Sequence, residues 1–312
     1  MFHHDPLLRH DSGDLEKIAD DEIFAADSAV EWKARTLQSQ TVAPTLQQTQ
    51  PHFNASFSQI SRFTAYAALQ SISARVTELQ LRNQLDYGSI SFTELYKTLL
   101  AWYEAFQSNY DSGTDPLDLL ILWHAIFLSL LTNFNKLERA LGRCGNIISN
   151  EEDLQYAITW AKSISAERSI LHAQAIQQSI GCSALNKDPA IHVPHCVFLA
   201  GLVSYSVMHF RRFSFPIPPV SRSPSEFPEF NLHRSFTDEH LVSKAEVLFL
   251  NRYKEQFMRT IEMPKTVHRV GADLVRQCND ILERVGHCGN ARAYGKTLTT
   301  LIGPEVDKWM HG

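Results

Sequence analysis

The residues of this chain best suited to chemistry are its histidines and cysteines, and their spacing limits what they can do. His192, His195 and Cys196 fall within one short stretch. Imidazole nitrogen and thiolate sulfur are the usual ligands of zinc, so this stretch invites a metal reading. Two features weigh against it: Pro194 lies between the histidines and suits the first turn of a helix, where its missing amide hydrogen is no loss, and no fourth ligand lies nearby in sequence. The expectation is a helix entry rather than a metal site. His124 and His172 stand on apolar helix patterns, where a neutral imidazole bonded to a carbonyl or a polar side chain is commoner than a catalyst. Cys144 and Cys182 have no recognisable nucleophile context. Asp20-Asp21-Glu22 is a tight acidic cluster, but magnesium-dependent pyrophosphate chemistry needs a second cluster facing the same cavity. Asn279-Asp280 with Glu283 reads better as a solvated helix face. With no phosphate-binding glycine loop either, the sequence assigns no catalytic, cofactor-binding or metal-ligating residue.

Composition narrows the class further. The 312 residues are 44% hydrophobic and 20% charged, which is globular composition, and a chain of this length can bury a sizeable core without staples. A net charge of -5 argues against a general nucleic-acid surface, since phosphate binding draws on clustered Lys and Arg. Arg211-Arg212, an adjacent basic pair at a helix end, is better explained as a complement to the helix dipole. Five cysteines, an odd number without close pairing, point to reduced intracellular thiols rather than a disulfide framework. Met1-Phe2-His3-His4-Asp5-Pro6 does not open a secretory signal. The apolar run from Leu117 to Leu131 falls short of the roughly 20 residues a membrane helix needs, so it is expected to be a core helix.

The elements that must hold these side chains are all helical in pattern. Residues 1–50 combine scattered charge with a Gln/Thr run and are expected to be flexible or loosely docked, with a short helix drawn from Glu22-Ile23-Phe24-Ala25 and Ala29-Val30-Glu31-Trp32. Leu69, Ile72, Val76 and Leu79 recur at helical steps and predict one buried stripe. Gly88 breaks that pattern, and Ser91-Phe92-Thr93-Glu94 offers a capping box for a helix from about 92 to 106. Asp115-Pro116 is expected to start the central helix, whose apolar surface is almost continuous from Leu117 to Leu131. After a connection from Gly142 to Asn150, one long helix is expected over 151–180, burying Ala157, Ala161, Ile164, Leu171 and Ala175. Arg168 interrupts that stripe and must either snorkel to its edge or meet an acidic group on a neighbouring helix.

A further helix is expected from Val193-Pro194 through Phe210, packing by Phe198, Leu202 and Tyr205. The Pro-rich stretch of about 213–232 is expected to be a loop. Beyond it, Phe249, Tyr253 and Phe257 form one stripe, and Val267, Val270, Leu274, Cys278, Ile281 and Val285 another; a last helix runs from about 291 to 301. No strand alternation of convincing length occurs. The expected fold is all-α, a multi-helix globular domain over 51–312.

Ordered motifs run through these helices: Leu122-Trp123-His124, then Trp160-Ala161-Lys162-Ser163, Arg168, Leu171-His172-Ala173, and Pro189-Ala190-Ile191-His192-Val193-Pro194. Upstream stand Glu22-Ile23-Phe24, Glu31-Trp32 and Phe63-Thr64-Ala65-Tyr66. In order and spacing the series resembles the regulatory, middle homology region of fungal zinc-finger transcription factors, found with two-Cys two-His or binuclear zinc-cluster DNA-binding modules. The likeness covers roughly residues 20–212. It implies a nuclear regulator of RNA polymerase II genes, no enzyme, with Trp123, His124, Trp160, Ala161, Arg168, His172, His192 and Pro194 as structural motif residues.

One departure qualifies it. No Cys-x-x-Cys pair occurs, so no zinc finger can be built here; either that module was lost or the chain begins inside a longer protein. Zinc is expected only with an upstream finger module, and DNA contact only through a missing or separate one. The expected partners are transcription machinery or co-regulator proteins, with a homodimer compatible and no membrane. The alternative is an all-α enzyme with an internal pocket, using His124, His172 and His192.

Overall fold

Every described element of the computed structural model is helical; no strand occurs among the described residues, which are 28–40, 62–109, 115, 117–142, 150–182, 189–211, 227–230, 275–284 and 289–310. The fold is therefore all-α, as the absence of strand alternation predicted. Cys144, the cluster at Asp20, the Gln/Thr run after residue 40, and the stripes of Phe249, Tyr253 and Phe257 and of Val267, Val270 and Leu274 lie outside these residues. The chain divides into two compact units, Met1–Leu119 and Leu120–Gly312.

In the first unit, α1 (Ala29–Gln40) starts where the Ser28 hydroxyl accepts from the Glu31 amide at 3.2 Å. Helix α2 (Arg62–Leu81) buries Leu69, Ile72, Val76 and Leu79, each at most 5% exposed. Removing four such aliphatic side chains from water contributes about 1.5–3 kcal/mol apiece. Its partner α3 (Ile90–Asn109) begins earlier than the Ser91 box suggested. Gly88 takes φ +83, a left-handed turn that only glycine adopts freely, and this brings Ser89 to the cap. The Ser89 hydroxyl accepts from the Phe92 amide at 3.1 Å. From Ser89 the return position of a capping box is Phe92, so the cap forms without a carboxylate. Trp102 then ties the pair together, its indole N–H donating to the Ala65 carbonyl at 3.0 Å.

The second unit contains all but the first residue of α4 (Leu119–Leu131). The helix starts at Leu119, later than Asp115-Pro116 suggested. The chain first makes a turn, with the Asp118 amide donating to the Asp115 carbonyl, and Asp118 at φ +50 separates that turn from the helix. Aspartate is among the few residues that tolerate this region. At Thr132-Asn133 the chain bends by 70° into α5 (Phe134–Ala140). Asn133 capping explains the bend: its side chain accepts from the Lys136 amide at 3.1 Å.

Helix α6 (Glu151–Ala161) is capped by Asn150 and carries Glu151, Glu152 and Asp153 in its first turn, where the helix dipole favours negative charge. The single long helix expected over 151–180 is in fact two. Ser163 makes the break: its hydroxyl donates to the Trp160 carbonyl at 2.7 Å, closing α6, and accepts from the Ala166 amide at 3.3 Å, opening α7 (Ile164–Cys182). Hydroxyl competition of this kind for backbone groups is what makes serine a cap rather than a helix-interior residue.

Helix α8 (Val193–Arg211) is the hub, packed against α6, α7 and α10 (Gly289–Met310). By length and composition it is apolar enough to cross a membrane, but 89% of that window is buried inside the protein. Val197, Ala200 and Val203 have no exposure at all. Gly201 permits the close approach of α10: a Cβ there would lie 2.9 Å from Leu298 Cδ1 and 3.3 Å from Cys278 Cβ. The remaining helix, α9 (275–284), supplies Val275, Cys278, Ile281 and Leu282 to the same core.

Candidate functional site

Of the residues singled out by sequence, His124, Arg168 and His172 meet at the α4–α7 contact. Helix α4 is held in place by Trp123 and Phe127, both almost without exposure, and this fixes His124 between them as a partly exposed ring at the helix edge. Because Ser163 resets the phase of α7, Arg168 and His172, one helical turn apart, turn into the interior. Arg168 is 5% exposed and His172 not at all. Of the two readings for Arg168, pairing holds, but the acid comes from an unexpected place. Within the Pro-rich stretch predicted as loop, Pro228–Phe230 forms a 3-10 turn that inserts Glu229.

The Arg168 Nε donates to Glu229 Oε1 at 2.7 Å, and the His172 Nε2 lies 3.8 Å from the same oxygen. The second distance is a close electrostatic contact longer than a hydrogen bond. On its other side, His172 Nδ1 sits 2.9 Å from His124 Nδ1. Facing ring nitrogens at that distance share a single proton. With Glu229 as acceptor, the consistent neutral arrangement has His172 Nε2–H towards Glu229 and His124 Nδ1–H donating to the bare His172 Nδ1. The chain Glu229, His172, His124 thus runs from a buried carboxylate to a ring with partial solvent access.

Aromatic side chains enclose it. His172 stacks on Phe127 (centroids 4.6 Å, 8° between planes) and tilts against Phe230 at 4.7 Å, while Trp123 meets it edge-on. The Arg168 guanidinium lies over the Phe227 ring, 5.3 Å from its centroid. Leu171 packs with Phe227 and Phe230, and Ile164 packs against that cluster. In this apolar setting burial pushes the His172 pKa below its ordinary value, Glu229 offsetting the effect in part. For Glu229, burial would raise the carboxyl, but His172 and the Arg168 guanidinium outweigh it and hold it at about 2. The result is an ionised carboxylate, a permanent cation and a neutral imidazole at ordinary pH.

The other motif residues serve the surrounding core. Trp160 donates its indole N–H to the Leu131 carbonyl at 3.0 Å, binding α6 to the end of α4, and Ala161 is wholly buried. Thr132 and Ser169 pair at 3.1 Å, which adds a second polar tie between the end of α4 and α7. Between α5 and α6, Arg139 grips the buried Asp153 through two nitrogens, at 2.7 and 2.9 Å. That bidentate pairing draws the Asp153 carboxyl below its usual range. Pro194 is buried in the first turn of α8, and His192 just precedes that helix, its carbonyl accepting from the Cys196 amide. The His195 ring lies 5.7 Å from Tyr294, and Cys196 is buried. Among the described residues, no group of three or more His, Cys, Asp or Glu side chains is arranged to hold a metal ion.

Sequence reasoning missed Glu229. Its signal was the context Phe227-Pro228-Glu229-Phe230: an acid flanked by two large apolar side chains, with a proline that suits the start of a short turn. Neither ring nitrogen of His172 faces solvent, so the exchangeable position in the histidine pair is His124. Compared with family models, with curated proteins and with solved structures, the chain matches none.

Proposed function

We propose that this chain is a helical regulatory and interaction domain of a fungal-type transcription regulator, acting in the nucleus on RNA polymerase II genes through protein partners. In this reading DNA contact is not made by these helices and requires a separate zinc module. The observation that carries it is the internal use of the motif residues. Trp160 is spent on the Leu131 carbonyl, Arg168 on Glu229 and His172 on ring packing, while Pro194 opens the hub helix. Side chains used this way specify a scaffold, and a scaffold of helices acts through its surface. The test is fusion of the whole chain to a heterologous DNA-binding domain. Altered reporter output and co-purification of co-regulator proteins are expected; unchanged output with no partner refutes the proposal.

A second reading, an all-α enzyme, draws on one observation: the Glu229, His172, His124 chain ends at a partly exposed imidazole, the form of an oriented general base. His124→Asn should then abolish turnover of a substrate without moving the melting temperature. Loss of stability instead assigns His124 to the scaffold.

A further inference from the structure

We draw no further inference here: the strongest candidate, the surface patch of exposed apolar side chains that Leu81, Tyr87 and Ile90 present around the turn between α2 and α3, carries none because nothing in the structure shows what covers it.

Discussion

Replacing Glu229 by Gln removes the charge that Arg168 faces while keeping the shape of the side chain. Both members are shielded from water, at 6% side-chain exposure for Arg168 and 0% for Glu229, so solvent cannot take over the lost partner. Breaking a buried pair from one side costs about 3–5 kcal/mol. The lowering of the Glu229 carboxyl from the ordinary 4.5 to about 2 has the same sign, His172 and Arg168 both favouring the ionised form against the effect of burial. With a urea dependence of about 2–3 kcal/mol per molar, the midpoint for Glu229→Gln should drop by about 1–2 M, read by circular dichroism at pH 7. Arg168→Met alone should fall by a comparable amount, because it strands a buried carboxylate. Arg168→Met/Glu229→Leu should recover to within about 1 kcal/mol of the unaltered chain, since an apolar pair of similar volume has no charge to desolvate. The sign with pH follows from the lowered carboxyl. Its contribution is complete above 4.5 and is lost as pH falls towards 2, so the gap between the chain and Glu229→Gln should close across that range. A double variant as unstable as the two single losses added together would refute the reasoning, because it would show that the two groups are not coupled.

Other consequences are narrower. Trp160→Phe keeps the ring but leaves the Leu131 carbonyl without its donor, and should cost about 1–3 kcal/mol in chemical denaturation. Gly201→Ala places a methyl 2.9 Å from Leu298 Cδ1, the movable end of that side chain, and alanine's helix preference of about 1 kcal/mol offsets the crowding, so the melting temperature should change little, whereas the bulkier Gly201→Leu should lower it clearly. His172 is held neutral in the folded chain with its pKa lowered, so the unfolded chain takes up the proton first. Its contribution is therefore full above about 6.5 and declines as pH falls below that value. His172→Phe should flatten this limb of the stability profile below about pH 6.5; an unchanged limb would place the titration elsewhere.

The stripe of Leu69, Ile72, Val76 and Leu79 was legible because a helix buried on one side repeats its apolar residues at its own period, whatever it packs against. The entry of α8 was legible for a similar reason, since Val193-Pro194 carries its local conformation in the proline ring. Starts that depend on competing polar groups were harder. Ser89 and Ser91 both offer a hydroxyl, and the left-handed turn at Gly88 decides between them. Ser163 sits within an uninterrupted helical pattern, and its capping role depends on its hydroxyl bonding Trp160 and Ala166 rather than solvent. The residues of the site were partly visible. Arg168 stood out as a charge within an apolar stripe, and His124 and His172 as polar rings on buried faces. Glu229 did not stand out, because its partner on α7 lies 61 residues away in sequence.

By itself, then, the sequence determined the all-helical class, the buried faces of the helices and the polar residues that those faces would have to accommodate, because these follow from local periodicity and side-chain chemistry. Which polar groups meet was decided only by the tertiary structure. The single proton between His124 and His172, the ionised pair of Arg168 and Glu229, and the close approach at Gly201 each join segments far apart in the chain. Their energies exist only once packing has excluded water and brought the partners within a few ångströms, and no local pattern encodes that distance.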